Sequence, residues 1–173
     1  MNVAALPPSP QDLEVCEFLV GGHCFAVPSS LVAEVLHAGS LTPVPLAADA
    51  IAGLIHLRGQ IVPVIDMQRR LGLGDGIASG GGLLVVRLGD DHYALQVDEV
   101  LDVDHLPTDR IEPPSGSLID PAADPRTGVF AGEERLVHLL DPQRIVHSLL
   151  RPRVSSTAKP SAHKQGSSHV GTD

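Results

Sequence analysis

Short apolar segments, separated by glycine, proline and charged residues, occupy the chain from residue 13 to residue 150. Most segments hold four to eight residues rich in Val, Leu and Ile, and the stretch 97–103 alternates aspartates with apolar residues. Runs of this length and composition, bounded by turn residues, are typical of β-strands. The pattern therefore predicts a mainly β-sheet protein with tight turns at positions such as Gly21-Gly22 and Arg58-Gly59.

The same pattern occurs twice. Residues 21–27 align with 89–95, so that aromatic, alanine and aliphatic positions coincide. Three further pairs of segments follow in the same order: 34–36 with 99–101, 53–55 with 128–130, and 61–69 with 136–144. An internal repeat of this kind indicates one structural module used twice. We place the modules at about 14–72 and 82–150, joined by the linker 73–81.

Each module contains a β-hairpin, a third strand, a proline-bearing loop, a second hairpin and a short helix. Five short strands at this spacing form a small closed or nearly closed barrel. The predicted fold class is accordingly all-β for the most part, with two similar five-stranded barrels and short capping helices.

Both short helices carry end signals. Asp66 is a natural N-cap, and Gly72 is a natural stop for a helix over 67–71. Asp141 caps the second helix, with Pro142 at its first position.

The two ends of the chain have a different composition. Residues 1–12 are proline-rich, and 151–173 contain almost no large apolar side chains, so neither offsets the entropy of ordering. We predict disordered tails at both ends. The chain shows neither a secretory signal nor an apolar run of about 20 residues, which predicts a cytoplasmic protein.

Two cysteines are present, Cys16 and Cys24, on consecutive predicted strands. A two-residue turn at Gly21-Gly22 places Cys16 opposite Val27, so that the two thiols lie out of register and on opposite faces. We predict two buried apolar thiols rather than a disulfide, a redox pair or a metal site.

Composition narrows the possible partners. The formal net charge of −9 argues against nucleic acid and anionic membrane as partners, because both select basic surfaces. The chain has three Phe, one Tyr and no Trp, so its core is aliphatic.

The chain carries no catalytic or cofactor motif. The glycines 80–82 lack the following Lys and Ser/Thr of a phosphate-binding loop, and the histidines show none of the spacings of a zinc site. Asp98, Asp102 and Asp104 share one face of a predicted strand, which resembles the edge of a divalent-metal site. A solvated outer face is the favoured reading, and a small metal-dependent hydrolase is the remote alternative.

Arg58 is the only full charge between residues 50 and 65. A single guanidinium at the turn of an apolar hairpin is either an ordinary turn residue or an anchor for a partner. The residues alone leave both interpretations open.

The segment 53–66, Gly-Leu-Ile-His-Leu-Arg-Gly-Gln-Ile-Val-Pro-Val-Ile-Asp, resembles the signature of CheW-like domains. In that family the pattern reads Gly, two apolar residues, Asn-Leu-Arg-Gly, any residue, two apolar residues, Pro, two apolar residues and Asp. The segments 17–20, 32–35 and 95–100 resemble further landmarks of the family in the same order. The resemblance covers nearly all of 14–150.

The resemblance implies two SH3-like barrels and a non-catalytic adaptor, without cofactor or metal. Such an adaptor couples the cytoplasmic tip of a chemoreceptor to the regulatory domain of a CheA-type histidine kinase. Arg58 corresponds to a residue linked to receptor and array contacts, Val32 and Gly53 correspond to the receptor groove, and Glu34 corresponds to a residue that pairs with the arginine. The structural alternatives are a core role for Val32, a surface strand position for Glu34, and a close backbone approach at Gly53, as at its twin Gly128.

His56 replaces the usual Asn of the family pattern, and we include it among the partner-binding residues. The replacement leaves two alternatives open. One is a paralogue that serves pili, surface behaviour or second-messenger output, and the other is a regulatory protein that binds the kinase without the receptor.

Overall fold

The structure is a computed structural model, and it describes residues 11–77, 80–116 and 123–150. Within these ranges the strands are β1 (Asp12–Val20), β2 (His23–Pro28), β3 (Val32–His37), β4 (Ile51–Leu57), β5 (Gln60–Asp66), β6 (Gly82–Leu88), β7 (Asp91–Val97), β8 (Glu99–Pro107), β9 (Ile111–Glu112), β10 (Arg126–Ala131) and β11 (Leu136–Leu140). The helices are α1 (Met67–Leu71) and α2 (Pro142–Leu150).

The strands form two sheets with matching orders, β8-β1-β2-β11-β10-β9 and β3-β6-β7-β5-β4. The repeat equates β1 with β6, β2 with β7, β3 with β8, β4 with β10 and β5 with β11. Each sheet therefore takes the opening hairpin of one repeat and the remaining strands of the other, which are three in the five-stranded sheet and four, with β9, in the six-stranded sheet. The parallel pairs β2–β11 and β5–β7 are the seams of this exchange.

Each sheet encloses its own apolar cluster. In the six-stranded sheet the cluster draws on both edges, with Leu106 from β8 and Ile111 from β9. In the five-stranded sheet it likewise includes Leu36 from β3 and Ile55 from β4. A sheet whose two edges contact one core is curled on itself, which confirms the predicted pair of small barrels. We call them the six-stranded and the five-stranded barrel.

The sixth strand is a difference from the predicted five. β9 lies in a stretch that the sequence indicated as loop, and Ile111 and Glu112 pair with β10. At the equivalent place in the five-stranded barrel, a single bridge joins Thr42 to Leu54. Two residues of regular pairing are too short to leave a periodic signal in the sequence.

A larger core lies between the barrels. It contains Phe18 of the six-stranded barrel, Leu95 of the five-stranded barrel, Met67 of α1 and Ile145 of α2, all less than 2% exposed. Each such side chain contributes on the order of 2 kcal/mol by burial. The shared core therefore makes the two barrels one folding unit.

The predicted helix caps are confirmed. The Asp66 carboxylate accepts a hydrogen bond from the Arg69 backbone N–H at 3.1 Å, and Gly72 ends α1 in the left-handed conformation with φ of 68°. The Asp141 carboxylate accepts one from the Gln143 N–H at 2.8 Å. Asp66 also accepts a bond from the N–H of Ile77, so it holds the linker as well.

Both cysteines are free and buried, as predicted. The register sets Cys16 opposite Val27 and Cys24 opposite Leu19, and the two thiols belong to different apolar clusters. Burial, followed by the negative charge of Glu17, raises the pKa of Cys24 to about 11. The thiol is therefore protonated and unreactive at neutral pH.

The last two residues of the predicted amino-terminal tail, Gln11 and Asp12, belong to the described structure. Asp12 pairs with Pro107 at the start of β1, and the Thr108 hydroxyl donates a hydrogen bond to the carbonyl of Gln11. Residues 1–10 and the predicted tail 151–173 lie outside the described residues. None of the helices in the described part of the chain has the length and apolar character of a membrane span.

Candidate functional site at the barrel ends

Arg58 occupies the tip of the β4–β5 hairpin. Its φ is 49° and that of Gly59 is 81°, which matches the primed turns that suit two-residue hairpins. A side chain other than Gly, Asn or Asp is uncommon at such a φ and costs on the order of 1 kcal/mol. The hairpin therefore carries an arginine, 79% exposed, at a position where asparagine would be less strained.

Glu34 holds the Arg58 guanidinium. Arg58 Nε lies 3.3 Å from Glu34 Oε1, and Nη2 donates to Oε2 at 3.3 Å. Glu34 belongs to β3, whereas the hairpin contains β4. The pair therefore bridges the two edge strands of the five-stranded barrel. An exposed pair of this kind contributes at most about 1 kcal/mol, which leaves the guanidinium oriented and accessible.

Exposed side chains flank this arginine. His56 on β4 and Ile61 on β5 are cross-strand neighbours, and Ile61 is 62% exposed. Large aliphatic side chains with this exposure, next to an oriented arginine, are typical of partner-binding surfaces. His56 and Arg58 thus lie at the same end of the five-stranded barrel.

An apolar groove of about 300 Å³ lies on the same face as His56. Its floor includes Leu54 and Pro63 of the hairpin and Tyr93 of β7. The remaining sides are formed by Val44, Ala47 and Ala48 of the loop after β3, by the strand residues Ile51 and Ile65, and by Val146 and Leu149 of α2. A groove of this size accepts one or two apolar side chains of a partner.

The structure gives Val32 and Gly53 packing roles. Val32 is partly buried against the shared core. At Gly53 a Cβ atom would lie 2.7 Å from the carbonyl oxygen of Thr42 and 3.0 Å from Cβ of Leu41, so the loop after β3 crosses directly over the glycine. In the described structure both residues therefore have packing roles.

We expect Gly53→Ala to lower the free energy of unfolding by about 2 kcal/mol, because the added methyl group displaces the Thr42 backbone. Gly39→Ala is the matched control, since a Cβ there meets nothing within 4 Å and the backbone is not left-handed. Urea unfolding of the two variants checks this. Equal midpoints for both would contradict the assigned role of Gly53.

The end of the six-stranded barrel carries a second arginine that the sequence analysis missed. Arg135, directly before β11, places Nη2 2.7 Å from Glu17 Oε2 and 3.0 Å from Asp104 Oδ2. Asp104 lies on the edge strand β8, so this contact joins the β10–β11 turn to one edge of the barrel. Leu136, equivalent to Ile61, is 49% exposed beside it. The sequence signal that could have indicated this site is Glu17, a carboxylate that shares the inward face of its strand with the apolar residues Val15 and Leu19.

His138 lies on the parallel seam of the six-stranded barrel, opposite Phe25, with a distance of 5.4 Å between the two ring centroids. Its Nδ1 is buried and has no hydrogen-bond partner among the described residues. Burial lowers the pKa of His138, and the positive charge of Arg126 and the proximity of His23 lower it further. The folded chain therefore favours the neutral imidazole.

We expect acid to weaken this seam. Since the pKa of His138 is lower in the folded chain than its ordinary 6.5, the unfolded chain binds the proton more readily. The contribution of the neutral His138 imidazole to the free energy of unfolding is complete above about pH 6.5. It is lost as the pH falls from there towards the pKa of His138 in the folded chain. Urea unfolding at pH 7.5 and 5.5 measures the loss, and His138→Gln should reduce it. A loss of the same size in the variant would contradict this origin.

Two of the three aspartates that resemble a metal edge, Asp98 and Asp104, have partners within the protein. Asp98 precedes β8 and accepts hydrogen bonds from the Gly21 N–H at 2.6 Å and from Gln68 Nε2 at 3.0 Å. A β-bulge opposite Glu17 interrupts the alternation of β8, so the predicted common face of Asp98, Asp102 and Asp104 is wrong. In the ranges that the structure describes, no cluster of three His, Cys, Asp or Glu could hold a metal ion.

Two fused barrels, each presenting an arginine and an exposed aliphatic residue at one end, define a class of protein that works by binding partners. Comparison with known families agrees. Residues 14–150 match the model of the CheW-like domain, and the chain belongs to this family.

Relatives within the family carry several names. The chain is 33% identical over 135 residues to protein FrzA of Myxococcus xanthus, covering 76% of this chain and 83% of that protein. It is 25% identical over 139 residues to chemotaxis protein CheW of Thermotoga maritima, covering 80% and 91%. The crystal structure of scaffolding protein TtCheW from Thermoanaerobacter tengcongensis is similar with a TM-score of 0.67 and 27% identity, covering 75% of this chain and 89% of that one.

Proposed function

We propose that this chain is a non-catalytic cytoplasmic adaptor. It couples the cytoplasmic tip of a transmembrane chemoreceptor to the regulatory domain of a CheA-type histidine kinase. Neither partner is a nucleic acid, and the chain itself does not insert into the membrane. Membership of the CheW-like family and the scaffolding description of the solved relative support this proposal.

The observation that carries the proposal is the presence of two equivalent but separate barrel ends. Ile61 and Leu136 occupy the same position of the repeat and are both about half exposed or more. Each lies beside an arginine that is held by a carboxylate from the far edge of its barrel. One chain can therefore bind two partners at once, which is the requirement for an adaptor.

We assign the receptor to the five-stranded barrel. Arg58, oriented by Glu34, supplies a charged anchor, and His56 lies two residues along β4 from Leu54, which lines the apolar groove. Val32 and Gly53 maintain the two edge strands, β3 and β4, on either side of this surface. The kinase domain then binds the six-stranded barrel around Leu136.

Coupling requires no chemistry in the adaptor. A receptor conformation that binds the adaptor more favourably when the kinase is active shifts the kinase towards its active state. The size of the shift equals the difference in binding free energy between the active and inactive assemblies. Small contact surfaces commonly bind at micromolar strength singly and gain avidity in an array.

Calorimetric titration tests this proposal directly. The chain is titrated with a soluble receptor-tip fragment, with the kinase regulatory domain, and with each in the presence of the other. We expect micromolar binding to both without competition. Competition between the two partners, or binding to neither, would contradict the adaptor role.

A second candidate is an adaptor of a different chemosensory pathway. His56 replaces the Asn of the usual pattern, and identity to FrzA (33%) exceeds identity to the Thermotoga CheW (25%). Receptor fragments from several pathways of the same cell distinguish the candidates, because only the cognate tip should bind at micromolar concentration. Kinase binding without any receptor binding would favour the regulatory paralogue.

A further inference from the structure

A carboxylate is buried inside the six-stranded barrel. Glu17 is 2% exposed on β1, between Val15 and Leu19, whose side chains belong to the interior cluster. Its Oε2 accepts the Arg135 contact at 2.7 Å and a weak hydrogen bond from the Cys24 thiol at 3.9 Å. Oε1 has no hydrogen-bond partner among the described residues. Burying a carboxylate with one oxygen that accepts no hydrogen bond lowers the stability of the folded chain, which indicates that Glu17 has a role other than stabilisation.

The five-stranded barrel shows that the fold does not need this carboxylate. Glu17 pairs with Ala26 as Val85 pairs with Ala94 in the equivalent strands, and Val85 is fully buried. Gln60 takes the position of Arg135 in that barrel. The same strand order therefore forms with valine and glutamine at these two places. Buried ion pairs are commonly no more stabilising than apolar side chains of similar volume.

Arg135 connects the interior to the exposed end of the barrel. The same Nη2 atom contacts Glu17 inside and Asp104 on the edge strand, while about half of the side chain is exposed. Leu136 follows directly in the chain and is 49% exposed. The two contacts therefore fix the β10–β11 turn relative to β1 and β8, and with it the direction of Leu136.

Charge distinguishes this end further. Glu133 and Glu134 are exposed in the turn, and Asp104 is half exposed beside Arg135. The surface around Leu136 is therefore acidic, and it complements a partner whose apolar contact surface is bordered by lysine or arginine.

From these observations we infer that the Glu17–Arg135–Asp104 network positions the β10–β11 turn for a partner with an apolar surface bordered by basic side chains. The inference rests on the proposed function, under which this partner is the regulatory domain of the kinase. Arg135 and Glu17 are positioning residues, and Leu136 makes the contact. The network also makes the two barrel ends chemically different, so that a partner distinguishes them.

The test is the double variant E17V/R135Q, which gives the six-stranded barrel the two residues that the five-stranded barrel has at the equivalent positions. We expect its thermal midpoint to equal or exceed that of the natural chain, because no charge is left unpaired in the interior. We expect its affinity for the kinase regulatory domain to fall at least about tenfold and its affinity for the receptor tip to stay unchanged. The single variant R135Q should lose both thermal stability and kinase affinity.

A purely structural network predicts a different outcome, in which kinase affinity recovers with stability in E17V/R135Q. That result would overturn the inference and leave the adaptor role intact. A natural chain that fails to bind the kinase domain would overturn both. Raising the salt concentration should lower the kinase affinity of the natural chain more than that of an E133Q/E134Q variant. An equal loss of affinity in both would contradict the inference that basic side chains border the partner's apolar surface.

Discussion

Replacing Arg58 with alanine should weaken receptor binding by one to two orders of magnitude while the fold persists. The guanidinium is 79% exposed, and its pair with Glu34 contributes at most about 1 kcal/mol to folding. A central arginine in a contact surface, in contrast, commonly carries about 2 kcal/mol or more of binding free energy. Calorimetry with a receptor-tip fragment and urea unfolding measure the two quantities on the same protein.

Two variants control this prediction. Arg87→Ala removes an exposed arginine from β6 of the same barrel, and we expect no change in receptor affinity. Glu34→Gln weakens the pair but keeps the arginine, so we expect a smaller loss than in Arg58→Ala. Unchanged receptor affinity in Arg58→Ala would contradict the assignment of the receptor to the five-stranded barrel.

Replacing Arg70 with alanine should destabilise the chain by about 3 kcal/mol. Arg70 on α1 donates to the backbone carbonyls of Ile145 at 3.0 Å, Arg144 at 3.2 Å and Ala123 at 3.2 Å. Burial lowers the pKa of the guanidinium, so these bonds compensate a real desolvation cost. Hydrogen bonds to a charged group contribute about 1.5–3 kcal/mol each before such costs.

Arg70 belongs to the first repeat and all three carbonyls belong to the second, so its loss loosens the contact between α1 and α2. Chemical unfolding should show a lower midpoint for Arg70→Ala and an intermediate one for Arg70→Lys, which keeps the charge without the planar fork. Arg87→Ala serves again as the exposed control, with an expected change within about 0.5 kcal/mol. A change of that small size in Arg70→Ala would contradict the bridging role.

Local signals carried most of the fold prediction. The Gly21-Gly22 turn fixed the pairing of Cys16 with Val27, and Asp66 marked the start of α1. The exchange of hairpins between repeats was not accessible, because the parallel seams β2–β11 and β5–β7 join segments more than 25 residues apart. Local pattern is the same whether a hairpin packs on its own repeat or on the other one.

The site prediction divides in the same way. The Arg58 hairpin was visible as the single charge in an apolar segment, and the resemblance drew attention to Glu34. The structure joins these two as an ion pair. Arg135 gave no comparable signal, because it follows Glu133 and Glu134 in a charged turn where an arginine is ordinary. Its importance comes from contact with Glu17, more than 100 residues earlier in the chain.

Reconstituted signalling tests the adaptor role most directly. Receptors in lipid nanodiscs and purified CheA-type kinase are combined with and without this chain, and kinase autophosphorylation is followed as receptor ligand is added. Our account predicts that the kinase responds to the ligand only when the chain is present, and that Arg58→Ala reduces this response. A kinase that responds equally without the chain, or that ignores the ligand at saturating concentrations of the chain with every receptor of the cell, would contradict the account.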